Sequence, residues 1–153
     1  MANVYLSGIE AIHAGGRDYL TEVLRVLLLT DATVAAFVET ESFVTQILAN
    51  AGNTEATDAS YTVQGATGRL TLGGKTAVES GALVELNATK STWTALDSFT
   101  VSAAVVFFFD TGDTDSEGLS FHNFADKAAN GSDFEVRWNN VDGVGRVVSL
   151  ANV

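Results

Sequence analysis

Residues 105–115 read VVFFFDTGDTD, an apolar run that leads into Asp110-Thr111-Gly112 and then into two further aspartates. Two chemistries suit these residue types. An aspartate held in a tight Asp-Thr-Gly loop can be half of a carboxyl dyad, in which two such groups from two chains share one proton and activate water. Alternatively, Asp113, Asp115 and Glu117 with Gly118 have the alternating oxygen spacing, ending in a glycine turn, that wraps a calcium ion.

Each chemistry needs supporting residues further along the chain. The dyad is that of retroviral-type aspartic proteases, where the catalytic loop continues into an apolar strand and is braced by a later helix with a hydrophobic pair before Gly-Arg. Here Gly112 is followed by DTDSEG, and the later Val144-Gly145-Arg146 leaves no room for a helix and a closing strand. The hydrolase is therefore the weaker alternative, and no catalytic residue is assigned. A calcium loop should present a bidentate glutamate at its twelfth position, which is Phe124, and its flanks should be helices rather than strands. Asp113, Asp115 and Glu117 are kept as weak metal candidates, and the acidic run is read as a hairpin turn held in water by its like charges. His13 and His122 have no carboxylate or cysteine beside them at ligand spacing, and no GxSxG elbow anchors a serine nucleophile. The glycine-rich GIEAIHAGG and LTLGGKT lack phosphate-loop spacing, so no cofactor is expected.

Composition narrows the partners. With 8 basic and 19 acidic side chains the net charge is -11, which repels the backbone of a nucleic acid. There is no cysteine, so no disulfide or thiolate site is available. No apolar stretch approaches the roughly 20 residues of a membrane span and no leader pattern opens the sequence, so a soluble, unprocessed protein with no membrane partner is expected. Only 18% of residues are charged against 46% hydrophobic, where about a quarter charged is usual. Part of the apolar surface is then expected to be covered by another chain.

The elements that must position these residues read as one β-rich domain over residues 1–153, with residues 1–16 as an N-terminal arm in which the mixed apolar period of residues 4–13 fits either a short helix or an extended arm. The expected fold is mainly β, an antiparallel β-sandwich or barrel with one short helical segment. An apolar run at 22–29 reads as a buried strand, and 34–51 carries helical spacing with a stop at Asn50 and Gly52. Beyond residue 53 short alternating runs predict strands at 61–63, 69–72, 83–86, 99–109, 118–124, 134–138 and 145–150. Gly-Gly at 73, Asn-Gly at 130 and Asp-Gly at 142 read as turns, and LTLGGKT as a hairpin turn. Trp93 and Trp138 read as core or interface aromatics with one wet edge. In the long strand, strict alternation puts Thr100, Ser102, Ala104, Val106 and Phe108 on one face, which begins polar and turns apolar. Val106 and Phe108 therefore need cover from a helix, a second sheet or a neighbouring subunit. They are interface candidates, together with Val4, Tyr5 and Leu6 of an arm reaching to a neighbour.

The order of segments resembles that of small virion proteins of tailed bacteriophages. The matching stretches are residues 23–31, 61–76, 83–94, 99–113 and 132–150, and together they span most of the chain. Two departures are Phe107 to Phe109, where basic or tyrosine residues usually precede the Asp-Thr-Gly, and a longer, more helical 34–51. The resemblance implies a virion structural protein without enzymatic activity. It would be a capsid decoration or cement protein on the capsid exterior, whose partners are the major capsid protein and further copies of itself, a trimer being preferred. A tail or head-to-tail connector component is the alternative it leaves open.

Overall fold

Leu24–Leu29 (β2) is apolar except for Arg25, and its alternate side chains enter two different cores. In the computed structural model, which describes residues 3–32, 36–61, 68–80, 83–138 and 144–151, this strand lies antiparallel to Asp97–Phe108 (β7). Leu24, Val26 and Leu28 sit opposite Phe108, Val106 and Ala104, and all six belong to the larger core. Leu27 and Leu29 sit opposite Val105 and Ala103 in the second core, on the other side of the sheet.

A strand pair that is apolar on both faces must be covered on both. These two strands are the centre of a five-stranded sheet in the order β1-β8-β7-β2-β3, flanked by Asn3–Val4 (β1), Glu117–Asn130 (β8) and Leu70–Thr71 (β3). The larger core joins it to Leu86 and Ala88 of a three-stranded sheet, built from Thr76–Ser80 (β4), Leu83–Thr89 (β5) and Val144–Ala151 (β10) in the order β10-β5-β4. The same core takes in Trp93 and Val136 of a two-stranded sheet, Ser91–Trp93 (β6) with Phe134–Val136 (β9). Val44 and Ile47 of a six-residue helix, Val44–Ala49 (α2), cover the opposite face with Tyr5. An N-terminal helix, Leu6–His13 (α1), lies against β8. The fold is mainly β, as the alternation predicts, with two short helices, α1 and α2, among the described residues.

The short helical segment expected within 34–51 is α2 at 44–49, with Asn50 as its cap and Gly52 beyond it, and Val34 lies outside the described residues. Other expectations are corrected. The strand expected at 61–63 is described only at Tyr61, and the Asp-Gly at 142 lies outside the described residues. LTLGGKT is not a hairpin: β3 pairs with β2, whereas β4 pairs with β5, so Gly73-Gly74 carries the chain from one sheet to another. Gly74 has a φ of 57°, and a Cβ there would lie 2.3 Å from Thr89 Cγ2, which leaves room for glycine alone. Asn130-Gly131 likewise crosses between sheets, since β8 pairs with β7 and β9 with β6. Trp93 and Trp138 are both buried, without the expected wet edge.

The long strand does not alternate strictly. Its pairing with β8 shifts register between Val101 and Ala103, and Val101 joins the same core as Ala104, Val106 and Phe108. Ser102, buried, donates its hydroxyl to the Leu29 carbonyl at 3.2 Å. The face that read as polar turning apolar is thus two faces joined by an irregularity. Val106 and Phe108 are fully buried within their own chain and are not surface residues. The arm is also folded home: Asn3 and Val4 pair with Phe121 and Ser120, and Tyr5 is fully buried, while Leu6 remains 54% exposed.

The turn between β6 and β7 places Ala95 at a φ of 52°, a left-handed conformation that costs an alanine about 1 kcal/mol or more. Ala95→Gly removes that strain and restores some freedom to the unfolded chain. It is expected to gain about 0.5 kcal/mol net, seen as a higher urea midpoint.

Candidate functional site

β7 ends on Phe107-Phe108, and Phe109-Asp110-Thr111-Gly112 begins the turn back to β8. Three arginines from distant parts of the chain lie over the three rings. The guanidinium carbon of Arg69, just before β3, is 5.6 Å from the Phe107 centroid. That of Arg17, after α1, is 5.6 Å from Phe108, and that of Arg25, in β2, is 3.5 Å from Phe109. Each such contact contributes about 0.5–2 kcal/mol, more where water is excluded.

Two of these arginines, Arg17 and Arg69, also bind the carboxylates of the turn. Arg17 Nε donates to Glu117 at 2.8 Å and its Nη1 to Glu22 at 2.8 Å, while Asp110 lies 3.5 Å from Nη2. Arg69 has a side chain only 4% exposed and is held between Glu55, at 2.5 Å, and Asp113. Burial disfavours the Arg69 cation, but hydrogen bonds to Glu55 and Asp113 more than offset this and raise its pKa. Glu55 also accepts a hydrogen bond from the Tyr61 hydroxyl at 3.2 Å, and that hydroxyl accepts one from the Leu28 amide at 3.1 Å. Burial first, and the Glu55 charge second, raise the Tyr61 pKa and keep the phenol protonated.

The turn is further pinned by its backbone. Asp113 and Ser116 use their carbonyls to accept the amides of Thr45 and Val44 at the start of α2, at 3.0 and 2.9 Å. The Gly112 carbonyl accepts the Ser116 hydroxyl at 2.8 Å, and that hydroxyl accepts the Asp110 amide. The acidic run is therefore a docked loop, not the solvated turn that like charges suggested.

The candidate residues are placed accordingly. Asp110 has its carboxylate 46% exposed, accepting the Thr111 amide at 2.9 Å. Val144-Gly145-Arg146 begins strand β10 and not a bracing helix. Asp113, Asp115 and Glu117 are directed to three different partners: Arg69, the Thr111 hydroxyl at 2.9 Å, and Arg17. Among the described residues no three His, Asp or Glu side chains converge as a metal site would require. No family model, curated protein or solved structure matches this chain. Arg17, Arg25, Arg69 and Glu55 escaped the sequence reading, although Arg25, a lone charge inside EVLRVLLL, is legible as a cation that the strand must place against something, here the Phe109 ring.

A second cluster surrounds His122. Its Nε2 lies 2.9 Å from the Ser120 hydroxyl, and its ring meets Trp138 edge-on at 5.0 Å. Ser120 is fully buried, out of reach of a substrate. Burial lowers the His122 pKa from 6.5 to about 4, so the folded ring is neutral. The unfolded chain takes up the proton first, so this contribution to stability is complete above about pH 6.5 and is lost as pH falls toward 4. A loss of about 2–3 kcal/mol between pH 7 and pH 4 is expected from urea titrations. The His122→Gln variant should lose less over the same window by that amount, whatever the carboxylates do.

Proposed function

We propose that this chain is a structural protein of a tailed-bacteriophage virion, a capsid decoration or cement protein that binds the outer surface of the major capsid protein lattice. The observation that supports a structural role is the fate of the Asp-Thr-Gly turn. Asp110, Asp113 and Glu117 face Arg17 or Arg69, two loop carbonyls accept the first amides of α2, and the hydroxyls of Thr111 and Ser116 bond within the loop. Such a turn is built to be rigid, and the Arg17 cation 3.5 Å from Asp110 favours an ionised carboxylate over the shared proton that a dyad needs. The resemblance in segment order supplies the virion, and the net charge of -11 favours the outside of a DNA-filled shell over its lining.

The test is addition of the purified protein to capsids assembled without it. Saturable binding with a copy number that follows the capsid lattice supports decoration. A copy number fixed by a single vertex points instead to a connector or tail component. Failure to bind capsids, with cleavage of a peptide library that Asp110→Asn abolishes, would sink the structural reading.

A further inference from the structure

Among the described residues β4 is the outer strand of its three-stranded sheet, hydrogen-bonded to β5 alone. Thr76, Ala77, Val78 and Glu79 are all exposed, and Val78 is 48% exposed, one of the few large apolar side chains of the described residues in contact with solvent. An open edge of this kind presents unpaired amides and carbonyls to any strand that can match them, and proteins ordinarily block it with charge or with another element.

The strand matches itself. In an antiparallel pair with a two-fold axis at Val78, the valine meets its own copy, residue 76 faces residue 80, and Ala77 faces Glu79, so no like charges are opposed. Lys75 and Glu79 fall on the same face as Ala77. Across the axis, Glu79 of one chain has two diagonal neighbours in the other, Lys75 and Glu79, and the long Lys75 side chain is the one that can reach toward it. Among the described residues Glu79 has no ion-pair partner, whereas Lys75 already donates to the Glu22 carbonyl and stands 5.8 Å from the Tyr19 ring. Next to Ala77 a hollow of about 460 Å³ opens on the inner side, lined by Ile12, Tyr19, Leu20, Val84 and Leu86, with Leu20 51% exposed at its rim. A strand laid on β4 lies along the open side of that hollow and adds apolar area to a ladder only five residues long.

We propose that β4 is a self-association edge, through which two copies of this chain join their three-stranded sheets into one continuous sheet of order β10-β5-β4-β4-β5-β10. The ligand class is a second copy rather than a foreign peptide, because the charges at the two ends of the strand are of opposite sign and complement each other under the two-fold. The proposal does not depend on the virion reading. It replaces Val106 and Phe108, which the chain buries itself, as the basis for a homo-oligomer, and it favours a dimer over a trimer.

Sedimentation velocity over a concentration series, at physiological salt, tests it. The wild type should show a reversible monomer–dimer equilibrium. Val78→Lys opposes two cations at the axis and should weaken the dimer roughly tenfold or more, with an unchanged melting temperature because the side chain is solvent-facing. Glu79→Lys should weaken it as well, and the double exchange Lys75→Glu with Glu79→Lys should restore it. Since the chain has no cysteine, Val78→Cys gives a single thiol per chain, and mild oxidation should cross-link the wild-type-like dimer. A wild type that stays monomeric up to millimolar concentration overturns the proposal. So does a dimer that survives both Val78→Lys and Glu79→Lys.

Discussion

Replacing Arg69 by leucine is expected to destabilise the protein by about 3–5 kcal/mol, a loss large enough to leave a domain of this size partly unfolded at room temperature. The guanidinium is held between Glu55 and Asp113 with its side chain 4% exposed, and the Glu55 side chain is only 8% exposed. Removing the cation leaves Glu55 buried without its counter-charge, beside a Tyr61 hydroxyl that can satisfy one of its oxygens. The stacking on Phe107 is lost as well. The comparison that gives this result meaning is Asp110→Asn. That carboxylate is 46% exposed and only 3.5 Å from Arg17, so its replacement should cost less than 1 kcal/mol. Urea denaturation of the two variants against the wild type measures both. Equal costs would mean that the arginine network does not organise the turn.

Gly8→Ala is expected to lower stability by about 2–3 kcal/mol or to prevent folding, against the ordinary preference of helices for alanine. Propensity alone would favour the substitution by about 1 kcal/mol at an interior helix position. Packing decides otherwise. A Cβ on Gly8 would sit 2.3 Å from the Gly118 carbonyl oxygen and 3.0 Å from Leu119 Cα, and both are backbone atoms of β8 that cannot turn aside. Gly118 is itself closed in, because a Cβ there would lie 2.8 Å from Ile47 Cδ1 and 2.9 Å from Tyr5 Cδ2. The helix would have to lift from the strand, taking Ile9 and Ile12 away from the larger core. Gly112→Ala, where a Cβ meets nothing within 4 Å, is the matched control and should change stability by less than about 0.5 kcal/mol. Thermal unfolding of the three proteins, with amide exchange at Tyr5, whose amide donates to the Leu119 carbonyl, would show whether α1 has detached.

What the sequence determined by itself is what depends on neighbours along the chain. Two-residue alternation and apolar runs place β2, β7, β8, β9 and β10 within a few residues of their positions. Gly and Asn mark turns after residues 72 and 129, and the excess of carboxylates gives the chain a net charge of -11 before any fold is known. Tertiary structure alone decided which strands join. Gly73-Gly74 and Asn130-Gly131 carry the same local signal as a hairpin, yet each links strands of different sheets, because pairing is settled by which apolar faces can be buried together and not by the turn. The surroundings of the Asp-Thr-Gly turn were decided in the same way. Its residue types suit a dyad, a metal loop or a solvated turn alike, and what folding adds is Arg17 and Arg69, which lie 100 and 44 positions from the carboxylates they bind. A carboxylate's chemistry follows from the charges and the degree of burial around it, and those are supplied by chain segments that only folding brings together.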